Sequence, residues 1–240
     1  MDATAAAGDD QLSNVDTGDG RMPAHLWVPP SGSGPGLLLL QEIFGVSGYI
    51  RQRAADLARL GYVVLAPEIY WRLDDAELDE SSPELLDRAL SIVSRLDWST
   101  AVTDAVAALD HLRGLEQVRG GAGVVGFCFG GGLGFNVAAV SSPDVLVSYY
   151  GSALPNLLEL APKVDARSLH HFGEADQYID LDAVERIRAA VTADRDTDFD
   201  TYPGAGHAFD NPLPMFHHAE ASARAWRRTT EFLASHLPTN

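Results

Sequence analysis

Gly123-Val-Val-Gly126-Phe-Cys128-Phe-Gly130-Gly-Gly132 is the stretch that decides how this chain folds. It opens on apolar, β-branched residues, passes through Gly126-Phe127-Cys128-Phe129-Gly130 and continues into Leu133-Gly-Phe-Asn-Val-Ala-Ala-Val140. The pattern predicts a short buried strand, a sharp turn and a helix of small residues. A G-x-nucleophile-x-G turn holds its central residue in a strained conformation and needs glycine on either side, because a Cβ there would clash. The central side chain is lifted off the sheet edge, where the next amide and the helix start face developing negative charge. Serine usually fills that place. Here it is Cys128, the one cysteine in the chain. An arbitrary lone cysteine is more often a small buried apolar residue than a nucleophile. The glycine frame reverses that preference, since packing alone does not ask for it, but the motif becomes strong only if a carboxylate and a histidine follow in order.

Working outward, 240 residues fit one domain with its own core, and 46% hydrophobic residues is ordinary for a globular protein. No apolar run approaches the roughly 20 residues of a membrane span. Met1 to Gly20 is rich in Ala, Asp and Gly and lacks a charged-then-apolar leader pattern. A single cysteine excludes an intramolecular disulfide, which makes a cytoplasmic location the default. The formal net charge of −17 disfavours nucleic acid and anionic membranes as partners. A small-molecule ligand is the expected partner, and the chain is expected to be a monomer or a small homo-oligomer.

Residues 1–20 read as a disordered tail, and 21–238 as the folded domain. Arg21 to Val28 is expected as an edge strand, and Leu37 to Leu40 as a strand covered on both faces. A helix from Tyr49 to Leu60 places Ile50, Ala54 and Leu57 on one face and stops at Gly61. Tyr62 to Pro67 is another buried strand. Glu68 to Trp98 reads as an insertion over the sheet that carries a helix started by Pro83, and Thr100 to Arg113 as an amphipathic helix. After the elbow come strands at 145–150, 168–172 and 199–202, with helices at 181–192 and 215–237. Alternating strands and helices predict one doubly wound α/β domain with a mostly parallel sheet, whose ligands bind beyond the carboxyl ends of the strands.

Two of those strand ends carry chemistry. The strand at 168–172 runs into Gly173-Glu174-Ala175-Asp176, and the strand at 199–202 into Pro203-Gly-Ala-Gly206-His207-Ala-Phe209. The order nucleophile, acid, histidine (Cys128, Asp176, His207) is that of α/β-hydrolases. A thiol is mostly protonated at neutral pH and needs a neighbouring base or cation; the aspartate would hold the histidine in the useful tautomer. Glu174 and Asp180 compete for the acid's place, and Asp176 is preferred because it sits at the strand exit. The pairs His170-His171 and His217-His218 lack companions at metal-ligand spacing, so packing or exposed histidine is expected, with no metal and no cofactor.

With those residues in hand, the chain resembles the dienelactone hydrolase family of the α/β-hydrolase superfamily. The resemblance rests on Gln41-Glu42-Ile43-Phe44-Gly45, Gly126-Phe127-Cys128-Phe129-Gly130-Gly131, Tyr149-Tyr150-Gly151, Gly173-x-x-Asp176 and Gly206-His207-x-Phe209, and extends from about residue 22 to the last helix. It implies a Cys-His-Asp triad joined by Glu42, which takes the thiol proton once substrate has bound. It also implies attack on an ester or lactone carbonyl, an oxyanion held by the amides of Ile43 and Phe129, and a thioester that His207 helps water to cleave. Tyr149 matches the family's active-site tyrosine, with a strand-end core aromatic as the competing role.

The chain departs from the family where substrate carboxylates are held. Four residues after the histidine, where characterised members carry arginine, stands Asn211, preceded by Asp210. Asparagine donates a hydrogen bond but brings no charge. Arg88 is the nearest counterpart of a second arginine, with surface salt bridging as its competing role. Three readings follow: a dienelactone hydrolase-like enzyme for lactones or small activated esters, a general carboxylesterase or thioesterase for neutral substrates, and a non-enzymatic ligand-binding homologue.

Overall fold

Buried β-branched runs and amphipathic helices alternate along the computed structural model, which describes residues 9–193 and 196–239. The chain divides into two compact units, Met1–Ala122 with Thr239–Asn240, and Gly123–Pro238. In the first unit β1 (Gln11–Asp16), β2 (Arg21–Trp27), β3 (Gly34–Leu40) and β4 (Val63–Pro67) lie in the order β1-β2-β4-β3. β2 is antiparallel to both of its neighbours, and β3 and β4 are parallel. Helices α1 (Gly48–Arg59), α2 (Leu85–Val93) and α3 (Trp98–Gly114) complete this part of the chain. The region after β4 is anchored through the buried Asp104 of α3, which accepts hydrogen bonds from Trp71 Nε1 at 2.8 Å and from Arg72 Nε and Nη2 at 2.9 Å.

Strand β5 (Val118–Phe127) begins in the first unit and ends in the second. There it is followed by α4 (Phe129–Ser141), β6 (Val145–Tyr149), β7 (Arg167–Gly173), α5 (Leu181–Thr192), β8 (Thr197–Tyr202) and α6 (Ala219–His236). β5, β6, β7 and β8 pair in parallel, with Phe127 opposite Tyr149, Tyr149 opposite His171 and Gly173 opposite Tyr202. Their carboxyl ends are therefore in line, and the loops that leave them converge. The eight strands form the mostly parallel sheet that the sequence predicts.

Three expectations are corrected. Residues 1–8 lie outside the described residues, but 11–16 are ordered as β1 and do not belong to a disordered tail. The Asp16-Thr-Gly-Asp-Gly20 turn closes a hairpin through Thr17 N to Gly20 O at 3.0 Å, with Gly18 at φ 85°, and Val15 becomes fully buried. β2, read as an edge strand, is thereby flanked on both sides. The last helix starts at Ala219, not at Met215, because the His218 side chain accepts the Ala221 amide and caps it.

β7 carries two fully buried histidines. His171 is hydrogen bonded to Tyr202 Oη and Thr229 Oγ1, whereas neither ring nitrogen of His170 has a partner. The His170 ring lies between Phe135 and Phe199, at 6.1 and 6.0 Å between centroids. Burial pushes its pKa from 6.5 down to about 3. A folded value below the unfolded one means that the unfolded chain binds the extra proton. Stability from this group is full above pH 6.5 and is lost as pH falls toward about 3. Denaturant unfolding between neutral and mildly acidic pH should show wild type losing stability faster than His170→Leu, by up to about 1.4 kcal/mol per pH unit. Equal slopes for the two proteins would contradict a buried neutral His170.

Candidate active site

Cys128 follows the last residue of β5 and caps α4, with φ 50° and ψ −110°. A positive φ in a residue that bears a Cβ costs about 1–3 kcal/mol and persists only where its surroundings hold it. The Cys128 amide donates to Tyr149 O at 3.0 Å, and its carbonyl accepts from Gly131 N at 3.0 Å, Ser152 N at 3.1 Å and Gly132 N at 3.3 Å. Gly126 is essential to the turn, since a Cβ there would sit 2.0 Å from Gly130 O. The positive end of the 13-residue α4 thus begins next to the sulfur.

The acid and the histidine are brought together by a second close approach. A Cβ on Gly173 would lie 2.3 Å from Ala205 O, and its absence lets Ala175 N donate to that carbonyl at 2.9 Å. The loops after β7 and β8 are clasped side by side. Asp176 is buried, with Oδ1 accepting from Tyr178 N at 2.8 Å and Ile179 N at 3.0 Å. Its Oδ2 lies 2.7 Å from His207 Nδ1, and His207 Nε2 lies 3.0 Å from Cys128 Sγ. A carboxylate only accepts, so Nδ1 carries a proton and Nε2 is directed at the sulfur. Burial works against a charged His207, but negative charge on Cys128 and the Asp176 carboxylate outweigh it, and its pKa is raised to about 10.

The competing acids are occupied elsewhere: Glu174 accepts from Thr201 Oγ1 at 2.8 Å, and Asp180 caps α5 through Ala183 N at 2.7 Å. Tyr149, for which the sequence leaves a place facing substrate and a core role both open, has a fully buried ring and an Oη 2.6 Å from Thr229 Oγ1. It packs behind the elbow, which is the core role. Asn211 is buried and turned inward, its Oδ1 accepting from Leu213 N at 2.9 Å, while Asp210 accepts from Ser222 Oγ at 2.6 Å. Two aromatic residues that the sequence reading left without a role flank the histidine. Tyr150 (φ 37°, fully buried) and Tyr178 (exposed) have ring centroids 5.3 and 5.1 Å from His207. The signal for Tyr178 was its place two residues after Asp176, on a loop that must fold back to the histidine.

The remaining candidates belong to the first unit. Glu42 is buried, and its loop is pinned by a bridge between Glu42 and Gly45 and by Tyr70 Oη donating to Ile43 O at 3.1 Å. Arg88 is exposed, donates to Asp75 O, and lines a cleft of about 1020 Å³ with Phe44, Tyr70 and Trp71. Gly126→Ala should cost several kcal/mol or abolish soluble expression, because the added Cβ meets backbone that carries the turn. Thermal unfolding of the variant checks this, and an unchanged melting temperature would contradict it.

The sequence profile of the Dienelactone hydrolase family matches residues 22–237. The chain is 33% identical over 217 residues to carboxymethylenebutenolidase 1 of Cupriavidus pinatubonensis, covering 90% of this chain and 92% of that protein. It is 33% identical over 222 residues to the carboxymethylenebutenolidase of Pseudomonas sp. strain P51, covering 92% and 93%. An inferred dienelactone hydrolase from Klebsiella pneumoniae superimposes with a TM-score of 0.82 at 26% identity, covering 94% of this chain and 98% of that one. Among the described residues no helix is long and apolar enough to cross a membrane. An elbow after β5, an acid after β7 and a histidine after β8 on a mostly parallel sheet, together with these likenesses, mean that the chain has the α/β-hydrolase fold and belongs to the dienelactone hydrolase family of hydrolases.

Proposed function

We propose that this chain hydrolyses a lactone or small activated ester through a thioester on Cys128. The observation that carries the reading is the continuous chain of contacts from Asp176 through His207 to the Cys128 sulfur. With its pKa raised to about 10, His207 is a base strong enough to take the thiol proton, which leaves the sulfur its electron pair for attack. That sulfur adds to the substrate carbonyl carbon, and the carbonyl π pair moves onto oxygen. As the carbonyl re-forms, the ester C–O bond breaks. The departing oxygen keeps the bonding pair and takes the proton from His207 Nε2. The neutral imidazole then removes a proton from water as the water oxygen bonds to the thioester carbon. The C–S bond breaks with its pair on sulfur, which releases the acid and restores the starting pair.

Asp176 serves by orientation: two amides fix its Oδ1, and its Oδ2 holds the Nδ1 proton. The family resemblance offers Glu42 as an alternative acceptor of the thiol proton in place of His207, and adds the amides of Ile43 and Phe129 as oxyanion donors. Glu42→Gln tests the first of these, since an unchanged kcat/KM would leave His207 alone to maintain the reactive sulfur.

A neutral substrate is the second reading, and Asn211 favours it. The position four residues after His207 holds a buried amide turned onto Leu213 N, with the carboxylate of Asp210 beside it. An anionic substrate finds no guanidinium fork there.

Hydrolysis of a carboxylated dienelactone and of a neutral p-nitrophenyl ester of similar size tests both readings, with wild type beside Cys128→Ala. Loss of at least about 10³-fold in kcat/KM is expected for the variant on whichever substrate is turned over. Activity of the wild type should fall as pH rises through about 10, where His207 loses the proton it gives to the leaving group. A fully active Cys128→Ala would overturn the mechanism, and turnover of the ester alone would assign neutral substrates.

A further inference from the structure

Tyr178 is among the few large apolar side chains left in solvent, at 57% exposure. A single exposed aromatic residue needs no explanation by itself. Its position is what matters. The Tyr178 amide donates to Asp176 Oδ1 at 2.8 Å, so the loop that carries the ring is pinned by the same carboxylate that orients His207. The ring itself stands nearly perpendicular to the imidazole, at 75° and 5.1 Å between centroids. The other aromatic neighbour of the imidazole, Tyr150, is fully buried and cannot meet a ligand. Of the two aromatic rings against His207, Tyr178 is the one open to solvent.

The leaving group reacts at the same imidazole that the Tyr178 ring contacts. Its oxygen receives the proton from His207 Nε2 as the C–O bond breaks, so the atoms bonded to that oxygen lie beside the imidazole in the transition state. We propose that Tyr178 determines leaving-group specificity, offering its ring to a planar aromatic or enolic group as that group departs. The inference rests on the reading of His207 as general acid. It adds the residue that meets the leaving group: an exposed ring that a planar group can contact and a saturated alkoxide cannot.

Two esters of one carboxylic acid test this, a phenyl ester and a trifluoroethyl ester, with kcat/KM as the readout because it reports the acylation step. Tyr178→Ala should lower kcat/KM for the phenyl ester by about three- to tenfold and change that for the trifluoroethyl ester by less than about twofold. Tyr178→Phe, which keeps the ring, should retain the phenyl preference of wild type. The alkaline limb of the pH profile should not move in either variant. Equal losses on both esters with a shifted limb would overturn the proposal, because Tyr178 would then merely prop the histidine; no loss on either ester would overturn it too. Exposure of the side chain makes folding of both variants the expectation, and circular dichroism checks it. Cys128→Ala run on the same esters separates the two levels. An active Cys128→Ala removes the hydrolase mechanism itself, whereas an inactive one beside an indifferent Tyr178→Ala removes only the leaving-group role.

Discussion

Cys128 is held at φ 50°, a conformation that costs a residue with a β-carbon about 1–3 kcal/mol, and much of the second unit can be understood as the support for that one dihedral pair. Four backbone hydrogen bonds converge on Cys128: its amide is tied to the end of β6 and its carbonyl accepts three amides from the start of α4 and the loop after β6. Behind β6, Tyr149 Oη and His171 Nε2 meet the same Thr229 hydroxyl of α6, while Tyr150 N donates to His171 O at 2.7 Å. A buried polar group is costly unless paired, and here each member of the cluster satisfies another. The strained turn therefore rests on a stiff base.

Strain recurs around the same place. Tyr150 and Ala208, at φ 37° and 54°, are two of the five non-glycine residues with positive φ among those described, and each adjoins the histidine or packs on it. Such residues gather where geometry is set by function more than by propensity. Electrostatics follows from that geometry. Asp176 and His207 are both buried, and a buried charge is tolerated only when its partners are close and complete. Three contacts satisfy Asp176, and the histidine it holds directs Nε2 at the sulfur.

Much of this was legible in the sequence because its causes are local. Gly126-x-Cys128-x-Gly130 encodes a turn in which a Cβ on Gly126 would meet backbone, and Gly173 stands at the other close approach. The alternation of strands and helices gives the class of fold, and the place of Asp176 at the strand exit ranks it above Glu174 and Asp180. What escaped was set by distant partners. β1 alternates well but reads as tail, since its burial comes from pairing with β2 and from α3, where Ser13 Oγ lies 3.4 Å from His111 Nε2. The sequence leaves two roles open for Tyr149, and the one it takes is fixed by Thr229, 80 residues further on, which claims its hydroxyl and which no local pattern reveals. Tyr178 was visible only as a residue after an acid, and its stance against His207 depends on how two loops are clasped.

The central claim is that the Cys128 sulfur takes the acyl group. Acid quenching during turnover of a slowly deacylated activated ester, followed by intact-protein and peptide mass spectrometry, measures this directly. The account predicts one acyl group per chain, on the peptide that contains Cys128, released by hydroxylamine as a thioester is. Turnover with Cys128 unmodified, or with the acyl mass on another residue, would contradict it.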